Sequence, residues 1–314
     1  VRVLDGLVTI LCAVGGVQPQ SETVWRQADK YRVPRLIFVN KLDRMGANFH
    51  DVLHQTRSRL GANAVAIQIP IGAEDGFEGV VDLIRRRALY WADELGTRIE
   101  EDAIPDNLES LAEQFREQMI VTLGEVDPLI EDCYLSGQEP TEEQIHAALR
   151  KGTLGFSLVP VLCGSALRNK GIQPLLDAVV RYLPSPADVP DVVGVNPKTG
   201  EEERRRNDPA EHLSALVFKV QTDPFVGQLY YLRIYSGALK RGESLLNPRT
   251  GQRQRATKLM RMHANRREDL EEARAGDIVA AVGLQDTVTG DTLCTPARPI
   301  LLEPPTFPEP VIST

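Results

Sequence analysis

The residues best suited to chemistry are Asn40-Lys41-Leu42-Asp43. They follow Leu36-Ile37-Phe38-Val39, an apolar run that reads as a short buried strand. In open parallel α/β sheets, ligands sit just outside the carboxyl ends of the strands, which is where this tetrad falls. Its side chains match guanine. Asp43 can accept two parallel hydrogen bonds, from the ring N1–H and the exocyclic 2-amine. Adenine lacks that amine and offers an acceptor at N1, so the wrong base leaves a buried carboxylate unpaired. A mismatch of that kind discriminates by about 10⁴ or more. Asn40 can tie the strand end to neighbouring loops and reach the base edge. Lys41 can lay its methylene stem along the ring face. The competing reading is an ordinary polar turn, since Asn and Asp favour turns anyway.

A second stretch weighs against the ordinary turn. Leu158-Val159-Pro160-Val161-Leu162-Cys163 is another apolar strand, followed by Gly164-Ser165-Ala166-Leu167. Beyond it Ile172, Leu175, Leu176, Val179, Val180 and Leu183 recur at helical spacing. Strand, tight turn and amphipathic helix bring the N–H groups of Ser165 and Ala166 to a strand end. There they can donate to guanine O6. Two guanine-reading turns are far more specific than one.

Further segments extend the pattern: Pro19-Gln20-Ser21-Glu22-Thr23-Val24-Trp25-Arg26-Gln27-Ala28, Gly164 to Gly171, Leu183-Pro184-Ser185-Pro186, Tyr235-Ser236-Gly237, Arg261-Met262-His263-Ala264-Asn265 and Thr289-Gly290-Asp291-Thr292-Leu293. With them the chain resembles elongation factor G, a translational GTPase. The resemblance covers essentially all of this chain but not all of the family protein. It implies GTP and GDP as ligands, with Asn40, Lys41, Asp43, Ser165, Ala166 and Leu167 as base-recognition positions.

The phosphate-cradling G-x-x-x-x-G-K-[ST] does not occur in the sequence. Its nearest approach, Gly237 to Ser244, has Glu243 where lysine is needed and sits among β-strand patterns. The resemblance implies that the phosphate loop, the magnesium-binding threonine and the catalytic histidine segment lie upstream of Val1. No catalytic residue and no metal ligand therefore transfers to this chain, and Mg2+ is expected only in the longer protein. The opening Val1, in place of Met, fits the same expectation, and these residues alone are expected to be inactive.

The elements that must position the two turns read as follows. Val8 to Val14 is the first strand, Pro19 opens a helix, and the Asn40 strand comes next. That order argues a parallel sheet with right-handed crossovers. The long interval before Gly164 implies an α+β insertion over about 48–152. It contains an apolar stretch Val65–Ile71, strand-like runs Gly79–Leu83 and Arg87–Trp91, and helices, one opened by a capping box at Thr141-Glu142-Glu143-Gln144. The expected fold is thus α/β: a P-loop-type GTPase domain over 1–187 carrying the insertion. A proline-punctuated linker over 188–212 follows, then short strands over 213–303 that suggest an all-β barrel. Residues 304–314 read as a linker to a further domain beginning at Val311-Ile312-Ser313-Thr314.

The net charge is −8, which argues against indiscriminate coating of nucleic acid. Acidic side chains crowd Asp93 to His146, opposed only by Arg98 and Arg116. They form either a solubilising surface or a docking face. The resemblance implies the ribosomal stalk protein as the partner, with Glu109, Glu113 and Glu117 in one helical stripe. Gln252 to Arg267 is locally basic, either a strand edge guarded against pairing or a contact for RNA phosphates. The resemblance implies small-subunit ribosomal RNA there, and the tRNA–mRNA complex as an indirect partner.

The four cysteines, Cys12, Cys133, Cys163 and Cys294, show no paired spacing and fit a reducing compartment. His50 and His54 lack the further ligands that a zinc site needs. No apolar run is long enough to span a bilayer. The resemblance implies a monomeric cytoplasmic bacterial protein, with a mitochondrial or plastid homologue left open. Two other readings share these features: a ribosomal protection GTPase, and a non-hydrolysing ribosome-binding adaptor.

Overall fold

The computed structural model describes residues 1–302 except Glu94, Phe225, Ala264 and Asn265. The expected linker at 304–314 and the start of a further domain at Val311 lie outside the described residues. The chain forms two units, Val1–Pro184 and Ser185–Thr314.

In chain order the first unit runs Leu7–Cys12 (β1), Pro19–Lys30 (α1), Arg35–Asn40 (β2), Phe49–Leu60 (α2), Ala64–Ala66 (β3), Gln68–Ile71 (β4), Gly79–Asp82 (β5), Arg87–Trp91 (β6), Ile99–Asp102 (β7), Asp106–Gly124 (α3), Pro128–Ser136 (α4), Glu142–Leu154 (α5), Val159–Cys163 (β8) and Ile172–Tyr182 (α6). β1, β2, β8 and β3 make a parallel sheet in that order. β2 is apolar without alternation because it is central, and Leu36, Ile37, Phe38 and Val39 are buried on both faces. Burying each such side chain is worth about 1.5–3 kcal/mol.

Local chemistry sets the helix ends. Pro19 occupies the first turn of α1. The Asn48 side chain accepts from the Asp51 amide at 3.0 Å to start α2, and Gly61 ends that helix in the left-handed region at φ 62°. α5 carries the capping box read from the sequence: the Thr141 hydroxyl and the Gln144 amide oxygen each accept from the other's backbone N–H.

The structure changes the extent of the insertion. α2 and β3, assigned from sequence to 48–152, belong to the parallel sheet, since β3 pairs with β8 through Val65 and Pro160. A three-residue strand is too short for its periodicity to show. The excursion proper begins after Ala66 with an antiparallel sheet, β4-β5-β6-β7, followed by α3 and α4. It is not a separate body: Val80, Leu89 and Leu123 share one apolar core with Phe38, Leu42 and Leu162. α3 adds a residue missed by periodicity. Arg116 is buried, and its Nη1 donates to the Leu83 and Ile84 carbonyls at 2.6 and 3.0 Å.

The second unit contains Val192–Val195 (β9), Glu202–Arg205 (β10), Ser214–Asp223 (β11), Gly227–Ser236 (β12), Ala238–Lys240 (β13), Ser244–Asn247 (β14), Gln252–Arg255 (β15), Lys258–His263 (β16), Arg266–Leu270 (β17), Glu272–Arg274 (β18), Ile278–Val282 (β19), Thr292–Cys294 (β20) and Leu301–Leu302 (β21). An eight-stranded antiparallel sheet, in the order β15-β14-β20-β11-β12-β19-β16-β17, encloses a core that includes Val217, Leu232, Leu259 and Leu293. This is the all-β, barrel-like unit expected. Between β15 and β16 the buried Ala256 and the Thr257 amide, which donates to Val282 O at 2.8 Å, turn the chain.

The linker reading of 188–212 is corrected. β9 and β10 form a hairpin, and β21 pairs with β9. The turn is built on Asn196, whose side chain accepts from the Lys198 amide at 2.9 Å. The hairpin is anchored by Arg205, which is 0 % exposed, pairs with Glu203 and donates to Arg298 O at 3.0 Å.

Candidate guanine-recognition site

β2 and β8 are adjacent, with Val39 opposite Cys163, so the chain leaves the sheet twice at one level. Two backbone bonds lace the exits: Gly164 N–H to Val39 O at 3.0 Å and Leu42 N–H to Gly164 O at 3.2 Å. Asn40 then joins the turns. Its Oδ1 accepts from the Lys41 amide at 2.7 Å and from the Ala166 amide at 2.9 Å. Both partners are donors, so the oxygen faces them and Nδ2 is left over as a donor. That NH2 has no protein acceptor among the described residues, and it suits an acceptor such as purine N7. Lys41 is at φ 67°, a left-handed conformation uncommon for a residue with a side chain, and the lacing holds it there.

Asp43 lies at the rim with its side chain 11 % exposed, and Arg168 Nε is 3.5 Å from its Oδ2. Sequence reasoning does not single out Arg168; its position four residues past Gly164 is the available signal. The carboxylate keeps acceptor capacity for two parallel donors, because only one oxygen has a protein partner.

The second turn behaves differently from its expected role. Ser165 is fully buried, and its N–H closes the turn on Lys170 O at 2.9 Å. Lys170 N–H returns to Ser165 O at 3.0 Å, and the Ser165 hydroxyl accepts from the Arg168 amide at 3.3 Å. Ser165 therefore builds the turn, and its amide is not a donor for O6. The Ala166 amide is engaged by Asn40 and lies at the rim. Leu167 is 90 % exposed, and its amide has no acceptor among the described residues. Of the three amides at the positions expected from the sequence, only that of Leu167 is without an acceptor among the described residues.

Two glycines are sterically required. A Cβ on Gly164 would sit 2.3 Å from Lys170 O, and one on Gly171, at φ 86°, would sit 2.5 Å from Cys163 O. The excursion also braces the site. Asn169 Nδ2 donates to the Leu95 and Gly96 carbonyls at 2.9 and 3.1 Å, and Lys170 Nζ donates to Glu78 O at 3.2 Å. Glu74 N–H reaches Leu42 O at 2.8 Å while Glu74 Oε1 accepts from the Gly46 amide at 2.7 Å.

Elsewhere, Glu109, Glu113 and Glu117 are exposed on α3, and Glu113 meets Arg86 at 2.9 Å. Arg253, Arg255 and Lys258 are exposed without an ion pair among the described residues, whereas Arg267 is tied to Asp223 at 2.5 Å. His50 stacks with Phe49 and Phe115 at ring separations of 5.6 and 5.5 Å, and burial lowers its pKa. Among the described residues no three His, Cys, Asp or Glu side chains are grouped to hold a metal, and no helix is long and apolar enough to cross a membrane.

Residues 1–185 match the family described as Elongation factor Tu GTP binding domain. The chain belongs to that family. Its GTP-binding domain is followed by a match to Elongation factor Tu domain 2 over residues 227–294, the span from β12 to β20. The crystal structure of ttk003000868 from Thermus thermophilus is similar over 99 % of this chain, with a TM-score of 0.79 and 28 % identity. The chain spans 44 % of the length of that protein. This is therefore a translational GTPase fold of the elongation factor type, in a family whose ligands are GTP and GDP.

Proposed function

We propose that the chain supplies the guanine-recognising part of the GTP-binding domain, the insertion and the barrel of an elongation factor G. The intact protein would promote GTP-dependent movement of tRNA and mRNA through the ribosome. The observation that carries this reading is the bridging of the two turns by Asn40 Oδ1, which holds the Asn40–Asp43 and Ser165–Leu167 turns side by side at adjacent strand ends. The excursion between the turns supports elongation factor G over a GTPase without one. The run Asn40 to Ala47 favours it over a ribosomal protection GTPase.

The residues present fit the base and not the phosphates. Phosphate and Mg2+ ligands are proposed to lie outside these 314 residues, and no hydrolytic step is assigned to them. The acidic stripe of α3 is proposed to face the large-subunit stalk, and Arg253 and Arg255 small-subunit rRNA, in a monomeric cytoplasmic bacterial factor.

Competition binding tests the site. GDP is expected to displace a fluorescent guanine nucleotide from this chain at lower concentration than ADP does, with weak affinity overall and no ribosome-stimulated GTP hydrolysis. Equal displacement by ADP would refute guanine recognition, and ribosome-stimulated turnover would refute the placing of the phosphate machinery.

A further inference from the structure

A cavity of about 480 Å³ lies within the first unit, between the antiparallel sheet β4–β7 and helices α5 and α6. It is formed by residues other than those of the guanine-recognition site, and nothing in the proposed function uses it. Gln68 is 3 % exposed, and its Oε1 has no hydrogen-bond partner among the described residues. Directly across the strand pair stands Asp82, also in the cavity wall. Asp82 Oδ1 accepts from the Ile84 and Arg85 amides at 2.9 and 3.1 Å, but among the described residues no cation is paired with the carboxylate at salt-bridge distance. Glu142 and Asp177, on α5 and α6, have no ion pair among the described residues.

The cationic side chains in the wall are already engaged. Arg85 is bidentate on Glu101 at 2.6 and 2.9 Å. Arg181 donates to His146 Nε2. An arginine only donates, so that ring nitrogen is the acceptor and His146 Nδ1 carries the proton. Nδ1–H therefore donates to the Tyr182 hydroxyl at 2.7 Å, in keeping with a His146 pKa lowered by burial and by Arg181. Burial raises the Asp82 pKa, against the opposing pull of the Ile84 and Arg85 amides and of the Arg85 charge.

One unmet acceptor, and carboxylates (Asp82, Glu101, Glu142, Asp177) that outnumber the arginines Arg85 and Arg181, face a space walled by Ile67, Leu89 and Leu162. We propose that this cavity binds a small organic cation, a guanidinium or ammonium group on an apolar stem. The cation would meet Gln68 Oε1, Asp82 and Glu142, and the stem would lie against the apolar wall. The inference stands independently of guanine recognition.

The probe is n-butylguanidinium, a monocation on an apolar stem, titrated into the full chain by calorimetry, with n-butylurea as a neutral match in shape. The guanidinium is expected to saturate one site and n-butylurea to bind at least about tenfold more weakly, the scale of one charge-assisted hydrogen bond. Asp82→Asn keeps the Oδ1 that receives the Ile84 and Arg85 amides, and Glu142→Gln changes a surface position. Each is expected to weaken n-butylguanidinium by about tenfold with an unchanged Tm. Gln68→Met is expected to weaken it while raising Tm, because a buried acceptor without a donor is removed. Equal binding of the urea, no saturable binding of n-butylguanidinium, or affinities unmoved by all three substitutions would overturn the proposal.

Discussion

In the proposed guanine site base identity falls to Asp43, whose chemistry can be inverted by one atom. Asp43→Asn replaces an acceptor oxygen with an NH2 that suits the 2-oxo group of xanthine and repels the 2-amine of guanine. GDP affinity is expected to fall by about 10² or more while xanthosine diphosphate gains, read by competition binding. Asp43 itself was legible in the sequence, because the tetrad fixes its place after an apolar strand. Arg168 was not, since its pairing with Asp43 depends on two strand ends lying side by side. Nor could the sequence show that Ser165 spends its amide on Lys170, because a turn's internal bonds depend on its φ and ψ angles. His146 and His50 give a pH effect at the same scale. Burial lowers both pKa values, so the unfolded chain takes up protons that the folded one resists. Stability is expected to decline as pH falls through the ordinary histidine value of about 6.5, and His146→Gln should flatten that slope in urea titrations.

The two site turns depend on elements whose construction tolerates little change. Gly164→Ala would drive a methyl into Lys170 O and is expected to destabilise the first unit by several kcal/mol, on the scale of one severe backbone conflict or more. A lowered urea midpoint together with lost GDP preference checks it. The strands before each turn were legible because they are central and wholly apolar. The hairpin β9–β10 was not, since residue type does not alternate along either strand and its buried positions are a glycine, Gly194, and an arginine, Arg205. The brace from the excursion was hidden for another reason. Asn169 and Lys170 bind backbone carbonyls more than seventy residues away, and carbonyls leave no trace in residue type.

Across the molecule, charge is divided by element and not spread evenly. The net charge is −8, yet β15 presents Arg253 and Arg255 on one exposed face, with Gln254 turned inward. If that face meets RNA phosphates, Arg253→Ala with Arg255→Ala is expected to weaken ribosomal RNA binding and lower the slope of log K against log salt by about 1–2. An unchanged slope would leave those arginines as guards of a sheet edge. Each unit has its own apolar core.

β1 ends its sheet: among the described residues β2 is the one strand it pairs with, Cys12 bridging further only to Gly16 in the turn that follows, while Ile10 is 61 % exposed. Such a strand is an open template for any extended chain, including the same strand of another copy. Concentrated solutions should therefore scatter light increasingly with time, as molecules zip together rim to rim. A lysine at this point, Ile10→Lys, is expected to keep them clear.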